Sequence, residues 1–164
     1  SLTGPPVEEG PLAGGQVCTD CRASRRYRWG PVRVRKEVIL RALAARYAAA
    51  GRLEGLRTVR VAESFRGRAL WVEAVGLSGR SVRVRSGDLR LSLLYDGNPA
   101  GRRIYSPNYT LRDAGEWMVF ENGEGFGHGV GLCQWGAEGK AARGLSAREI
   151  LAAYYPGARL VKLY

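Results

Sequence analysis

Apolar and polar positions alternate along this chain in two rhythms. From Lys36 to Ala50 the apolar positions Val38, Ile39, Ala42, Leu43 and Tyr47 recur at helical spacing in an alanine-rich stretch, which predicts a helix ended by Gly51. The rhythm then shortens. Val59, Val61 and Ser64-Phe65 lead to a Gly67-Arg68 turn, and Leu70, Val72, Ala74 and Leu77 follow, which predicts a hairpin. After a Ser78-Gly79 turn, Val82-Arg83-Val84-Arg85 alternates with period two, which predicts a meander with one solvated, arginine-bearing face. Ser86 is placed to cap a short helix over 87–94, and 104–110 and 116–121 are further strand candidates. Gln134–Arg143 reads as a helix, and Ser146-Ala147-Arg148-Glu149 is a capping box that opens another. That helix stops at Tyr154-Tyr155-Pro156-Gly157, with a final strand expected over 160–163. Strands and helices without regular βαβ alternation predict an α+β fold, an antiparallel β meander with a few packed helices.

Residues 1–17 are rich in Gly and Pro and read as an irregular lead-in to a domain over 18–164. The chain begins abruptly at Ser1, so we expect it to be a piece of something longer. No run of about 18 apolar residues is present, so no membrane insertion is expected of this segment. The formal net charge is +11 and almost all of the cationic residues are arginine. That balance suits a polyanionic partner such as nucleic acid, anionic lipid or a cell-wall polymer, but the arginines are scattered, as on a generally arginine-rich surface.

Chemistry is concentrated at two places. Cys18 and Cys21 form a C-x-x-C pair, open to reading as a metal half-site, a redox pair or reduced structural thiols. Around 123–131 glycine occupies every second position, a backbone that lets another group approach closely. A dinucleotide loop is disfavoured because no second strand follows at the required place. His128 is the only histidine, held between Gly127 and Gly129, and imidazole there suits a proton shuttle, a metal ligand or a hydrogen bond that fixes the loop. His128 and Cys133 are also the remaining soft donors, so a zinc site would draw on Cys18, Cys21, His128 and Cys133 or a subset. Among the carboxylates Glu124, beside the glycine run, is the candidate acid for glycosidic cleavage. A rival nucleic-acid surface would use the arginines of 57–85 with Trp71 or Tyr95 stacking on bases, but no nucleic-acid-binding signature accompanies them.

The stretch Gly125-Phe126-Gly127-His128-Gly129-Val130-Gly131-Leu132-Cys133-Gln134-Trp135-Gly136-Ala137 resembles the signature of the stage II sporulation protein D (SpoIID/LytB) family. So does Glu149-Ile150-Leu151-Ala152-Ala153-Tyr154-Tyr155-Pro156-Gly157. Upstream, Cys18-Thr19-Asp20-Cys21 with Ser24 and Tyr27-Arg28-Trp29 resembles the segment of the family's cysteine-containing branch, and Asp88-Leu89-Arg90 and Tyr105-Ser106-Pro107 fit between. The resemblance implies a domain that works on peptidoglycan as a lytic transglycosylase on denuded glycan strands, or, in LytB-type members, as an amidase enhancer. It places the parent protein outside the cytoplasm, at the cell wall. It implies glycan contacts at His128, Gln134, Gly127, Gly129, Tyr154 and Arg90, and zinc on Cys18 and Cys21. Possible partners are glycan strands and a cell-wall amidase, with nucleic acid disfavoured.

One departure matters. The family's essential glutamate lies in an E-M-P-like stretch before an alanine-rich helix, and this chain has neither. Ala44-Ala45-Arg46-Tyr47 is similar but follows the C-x-x-C pair, the wrong order. We therefore expect the C-terminal part of such a domain, with part of the glycan cleft and without the acid. Whether it is an enzyme stays open, a non-enzymatic wall-binding or amidase-enhancing module being the alternative.

Overall fold

Alternating valine and arginine builds two strands in this protein. Besides the expected Val82–Arg85 stretch, Val32–Arg35 forms a strand with both valines buried and both arginines exposed. A computed structural model describes residues 18–161. The chain divides into two compact units. One is Arg28–His128, and the other joins residues up to Tyr27 to those from Gly129 onward.

In the Arg28–His128 unit, strand β1 (Arg28–Trp29) leads into β2 (Val32–Arg35) and helix α1 (Lys36–Ala44). A hairpin follows, β3 (Leu56–Phe65) and β4 (Arg68–Gly76), then β5 (Ser81–Arg85) and helix α2 (Ser86–Tyr95). Strands β6 (Thr110–Ala114), β7 (Trp117–Glu121) and the short β8 (Gly123–Glu124) complete it. All pairings are antiparallel: β3-β4-β5 is the expected meander, β2-β7-β6 is a second sheet, and β1 pairs with β8. The fold is α+β, as the patterning predicts.

The two Val-Arg-Val-Arg strands are used alike. Each runs directly into a helix through an extended arginine, Arg35 at φ −64°, ψ 141° and Arg85 at φ −65°, ψ 140°. Each pairs that arginine with a tryptophan across the ladder, Arg35 with Trp117 and Arg85 with Trp71. Arg33 and Arg35 lie over the Trp117 ring, and Arg83 and Arg85 over Trp71. Part of the chain's large positive charge is thus spread over aromatic rings and carboxylates such as Glu63 and Glu73. The inward side chains, Ile39, Leu43, Leu89, Leu93, Val34, Val72, Val84 and Phe120 among them, form one buried cluster.

Several boundaries differ from expectation. Helix α1 ends at Ala44, not near Gly51; the Arg46 N–H turns to Leu43 O, three residues back, while the Tyr47 N–H closes a last four-residue turn on the same oxygen. Tyr47 then reaches Asp88, its hydroxyl donating at 2.6 Å, and Ala50 is fully buried in a short 3-10 turn, Ala50–Arg52. Tertiary packing overrides alanine's helix propensity there. Ser86 is no cap; it is the first residue of α2, and its hydroxyl lies 2.6 Å from the buried Tyr109 hydroxyl. The strand expected over 104–110 begins only at Thr110. Pro107 has no N–H to pair, and the Ser106 hydroxyl takes the Asn108 N–H and donates to Glu124 O. The hairpin turn falls one residue earlier than read, at Arg66-Gly67, both at positive φ, 48° and 79°, and Arg68 already opens β4. Leu77 lies just beyond β4 and is exposed.

The second unit holds a Cys18–Tyr27 segment of turns and two helices, α3 (Gln134–Ala142) and α4 (Ala147–Tyr154). The capping box on α4 is formed: the Glu149 N–H donates to the Ser146 hydroxyl, and the Ser146 N–H donates to the Glu149 carboxylate. Ser146→Ala is expected to cost about 1 kcal/mol, read as a lower midpoint in urea denaturation. Leu160 and Val161 form no strand; Lys162 and Leu163, like the lead-in 1–17, lie outside the described residues. Among the described residues no helix is long and apolar enough to cross a membrane.

Candidate functional site

In the Arg28–His128 unit a line of aromatic rings runs from the core to the surface. Buried Phe120 meets Tyr109 edge-on at 5.0 Å, Tyr109 meets Trp29 at 6.3 Å, Trp29 meets Tyr105 at 6.0 Å, and Tyr105 meets Phe126 at 6.0 Å. Phe126 is 62% exposed although it ends this line. Trp29 is fixed by its indole N–H, which donates to Gly125 O at 3.1 Å, and lies across β8 where Gly123 leaves room for it. Burial pushes the Tyr109 phenol up to about 12, so it stays a neutral hydrogen-bonding group beneath the surface rings.

Beside these rings lies an open groove of about 650 Å³, lined in part by Arg28, Trp29, Glu121, Asn122, Gly123 and Glu124. Glu124 is held from its backbone, its N–H donating to Asn108 O at 2.9 Å while its own carbonyl accepts from Ser106. Its carboxylate accepts from the Asn108 amide at 3.5 Å and lies 3.8 Å from the Arg28 guanidinium, with the side chain 44% exposed. A catalytic acid at a glycosidic oxygen sits in an apolar enclosure, and Glu124 has no such setting. Glu121 is engaged by Arg112 at 2.6 Å.

The glycine run places its glycines at positive φ, Gly125, Gly127, Gly129 and Gly131 at 74°, 91°, 81° and 87°. Gly125 and Gly127 have open space around them, so the backbone turn rather than crowding demands glycine there. Gly127 N–H donates to Tyr105 O at 2.8 Å, which ties the run to the aromatic line. His128 is exposed and is the last residue of this unit. Arg90 sits elsewhere: partly buried on α2, it donates to Ile104 O at 2.7 Å, and desolvation draws its guanidinium below the usual value.

The second unit gathers the thiols. Cys133 precedes α3 and its sulfur accepts from the Gly136 N–H at 3.4 Å. The Cys21 thiol donates to Cys18 O at 3.3 Å, and is pushed up to about 12, first by burial and then by the Cys18 and Cys133 thiols beside it. Tyr154, the last residue of α4, is buried with its hydroxyl 3.2 Å from the Cys18 sulfur; burial and that thiol raise its phenol. Asp20, between the two cysteines, accepts from Lys140 at 2.7 Å and from Arg143 at 2.8 Å, and the Lys140 hydrogen bond holds its carboxyl below the usual range. Among the described residues no group of three or more Cys, His, Asp or Glu side chains is spaced as a metal-ligand set. Gln134 opens α3 and is exposed.

With both sites described, known proteins give two partial matches. A stretch of 62 residues, 37% of this chain, is 36% identical to the amidase enhancer of Bacillus subtilis. A stretch of 60 residues is 42% identical to an uncharacterized protein of Brachyspira hyodysenteriae. The matches span only 8% and 16% of those proteins. No family model matches the chain. Of the residues singled out in the sequence, the structure brings Cys18, Cys21, Cys133 and Tyr154 together, and Glu124 lies in the groove. Trp29, Tyr105 and Phe126 stood in quoted motifs but were given no role; the signal was an aromatic residue inside a glycine run, where no local packing can bury it.

Proposed function

We propose that this chain is a cell-wall module that holds peptidoglycan glycan strands, the recognition part of a lytic-transglycosylase-type domain. The observation that carries the reading is the exposed end of the aromatic line, Trp29, Tyr105 and Phe126, beside a polar groove. Sugar rings present apolar C–H faces that stack on aromatic side chains, and their hydroxyls pair with groups such as Asn122, Glu124 and Arg28. The partial likeness to an amidase enhancer supports a wall-associated location outside the cytoplasm. It also favours a second reading, in which the module acts on a cell-wall amidase rather than on the strand alone. Glu124, half-exposed beside Arg28, is placed in this reading as a groove residue that pairs with sugar hydroxyls.

Zinc belongs to the same proposal. Its support is donor type alone, the thiols of Cys18, Cys21 and Cys133, since among the described residues no three Cys, His, Asp or Glu side chains are spaced as a metal-ligand set. Zinc on these sulfurs would tie the Cys18–Cys21 turn to α3, a structural role. His128 remains a candidate glycan contact.

The test is a tryptophan-fluorescence titration with denuded glycan strands. Phe126→Ala is expected to weaken binding about tenfold with unchanged thermal stability, because the ring is exposed. Equal affinities for the variant and the wild type would remove the aromatic line from the account. Binding to DNA in place of glycan, lost steeply with salt, would favour the nucleic-acid reading.

A further inference from the structure

Arg28 differs from Arg60 and Arg112, two strand arginines that are hydrogen-bonded to carboxylates. Arg60 stands opposite Glu73 across the β3–β4 ladder and donates to it at 2.7 Å. Arg112 donates twice to Glu121, at 2.9 and 2.6 Å. Arg28 stands opposite Glu124 across the β1–β8 pair, yet the two charges are 3.8 Å apart, beyond the roughly 2.7–2.9 Å of a charge-assisted hydrogen bond. Glu124 accepts instead from the Asn108 amide. The fork of Arg28 donors is therefore not spent on Glu124. The Arg28 side chain is 80% exposed and belongs to the wall of the groove. Glu121, the other carboxylate of that wall, is occupied by Arg112. Strand alternation sends Arg28 and Trp29 to opposite faces of the β1–β8 ribbon. A group that engages the guanidinium thus leaves the indole in its place across Gly123. The groove offers one forked cation in a polar wall, a setting for a carboxylate carried on an otherwise neutral ligand.

In a peptidoglycan strand one sugar of each two carries a lactyl ether, and once the stem peptide is gone that ether ends in a carboxylate. We propose that Arg28 pairs with this carboxylate through two parallel hydrogen bonds and so fixes which sugar of the two-sugar repeat sits at the groove. This rests on the glycan reading above and adds a register to it, the acidic sugar at Arg28 and the neutral sugar beside it. A planar guanidinium matches a carboxylate in two-pronged geometry, which an ammonium cannot reproduce. Glu124 opposes the incoming charge, so the Arg28–Glu124 pair tunes how strongly the acid is preferred.

The test compares two probes of equal length by tryptophan fluorescence at low salt. One is a denuded strand oligosaccharide; the other is the same oligosaccharide with its lactyl carboxylates converted to neutral methyl amides. The wild-type chain is expected to bind the acid about three- to tenfold more tightly than the amide, and added salt should shrink that ratio. Arg28→Gln should bring the ratio to one, and Glu124→Gln should raise it. A wild-type chain that binds both probes equally overturns the inference and leaves the glycan reading standing. A preference for the acid that persists undiminished in Arg28→Gln also overturns it. A chain that binds neither probe overturns the glycan reading and this inference with it.

Discussion

Gly123→Ala is expected to abolish strand binding and to destabilise the protein by about 1–3 kcal/mol. An added Cβ would lie 2.2, 2.3 and 2.4 Å from three atoms of the Trp29 indole. The indole cannot slide aside cheaply. Its N–H is bonded to Gly125 O, and its edges contact both Tyr105 and Tyr109. Relief therefore requires Trp29 to leave β8, which opens the β1–β8 pairing of Arg28 with Glu124 and Trp29 with Gly123. The groove and the aromatic line lose their shared wall together. Urea denaturation reads the stability change, and the fluorescence titration reads the binding. An alanine variant with wild-type affinity would mean that strands bind without Trp29.

Phe120→Ala should produce the largest loss of stability, about 3–5 kcal/mol. Phe120 is 1% exposed on β7, paired across the sheet with Val32 and Leu111. Its ring supports Tyr109, whose hydroxyl bonds Ser86 at the start of α2. The cavity would thus undercut α2 and Trp29 at once, and binding should fall in parallel with the urea midpoint. A loss below about 1 kcal/mol would show that the surrounding side chains collapse into the space.

What could be read from the sequence was whatever local chemistry decides. The capping box at Ser146 and Glu149 and the start of α3 at Gln134 are written in adjacent residues and form as expected, while the hairpin turn falls at Arg66–Gly67, one residue before the expected Gly67-Arg68. Long-range contacts decided the rest. Tyr47 leaves the helix for Asp88, 41 residues away in sequence, and Ser86 turns from capping to Tyr109. Strand β2 repeats the valine–arginine alternation of β5 and was open to the same reading. The thiol cluster could be anticipated in type, but Tyr154 beside Cys18 spans 136 positions and has no local signal. The aromatic line was hidden for the same reason, because its rings come from β1, the Tyr105–Tyr109 turn, β7 and the glycine run.

The charge of +11 also looks different once placed. Arg33, Arg35, Arg83 and Arg85 stack on Trp117 and Trp71, and Arg41, Arg60 and Arg112 pair with carboxylates. Of these, only the Arg112–Glu121 pair borders the groove.

The most direct measurement is therefore an amide NMR titration of the chain with a short denuded glycan oligosaccharide. Shifts are expected to concentrate at Trp29, Tyr105, Asn122, Glu124 and Phe126. No shifts, or shifts centred on Trp71 and Trp117 with their arginines, would contradict the glycan reading.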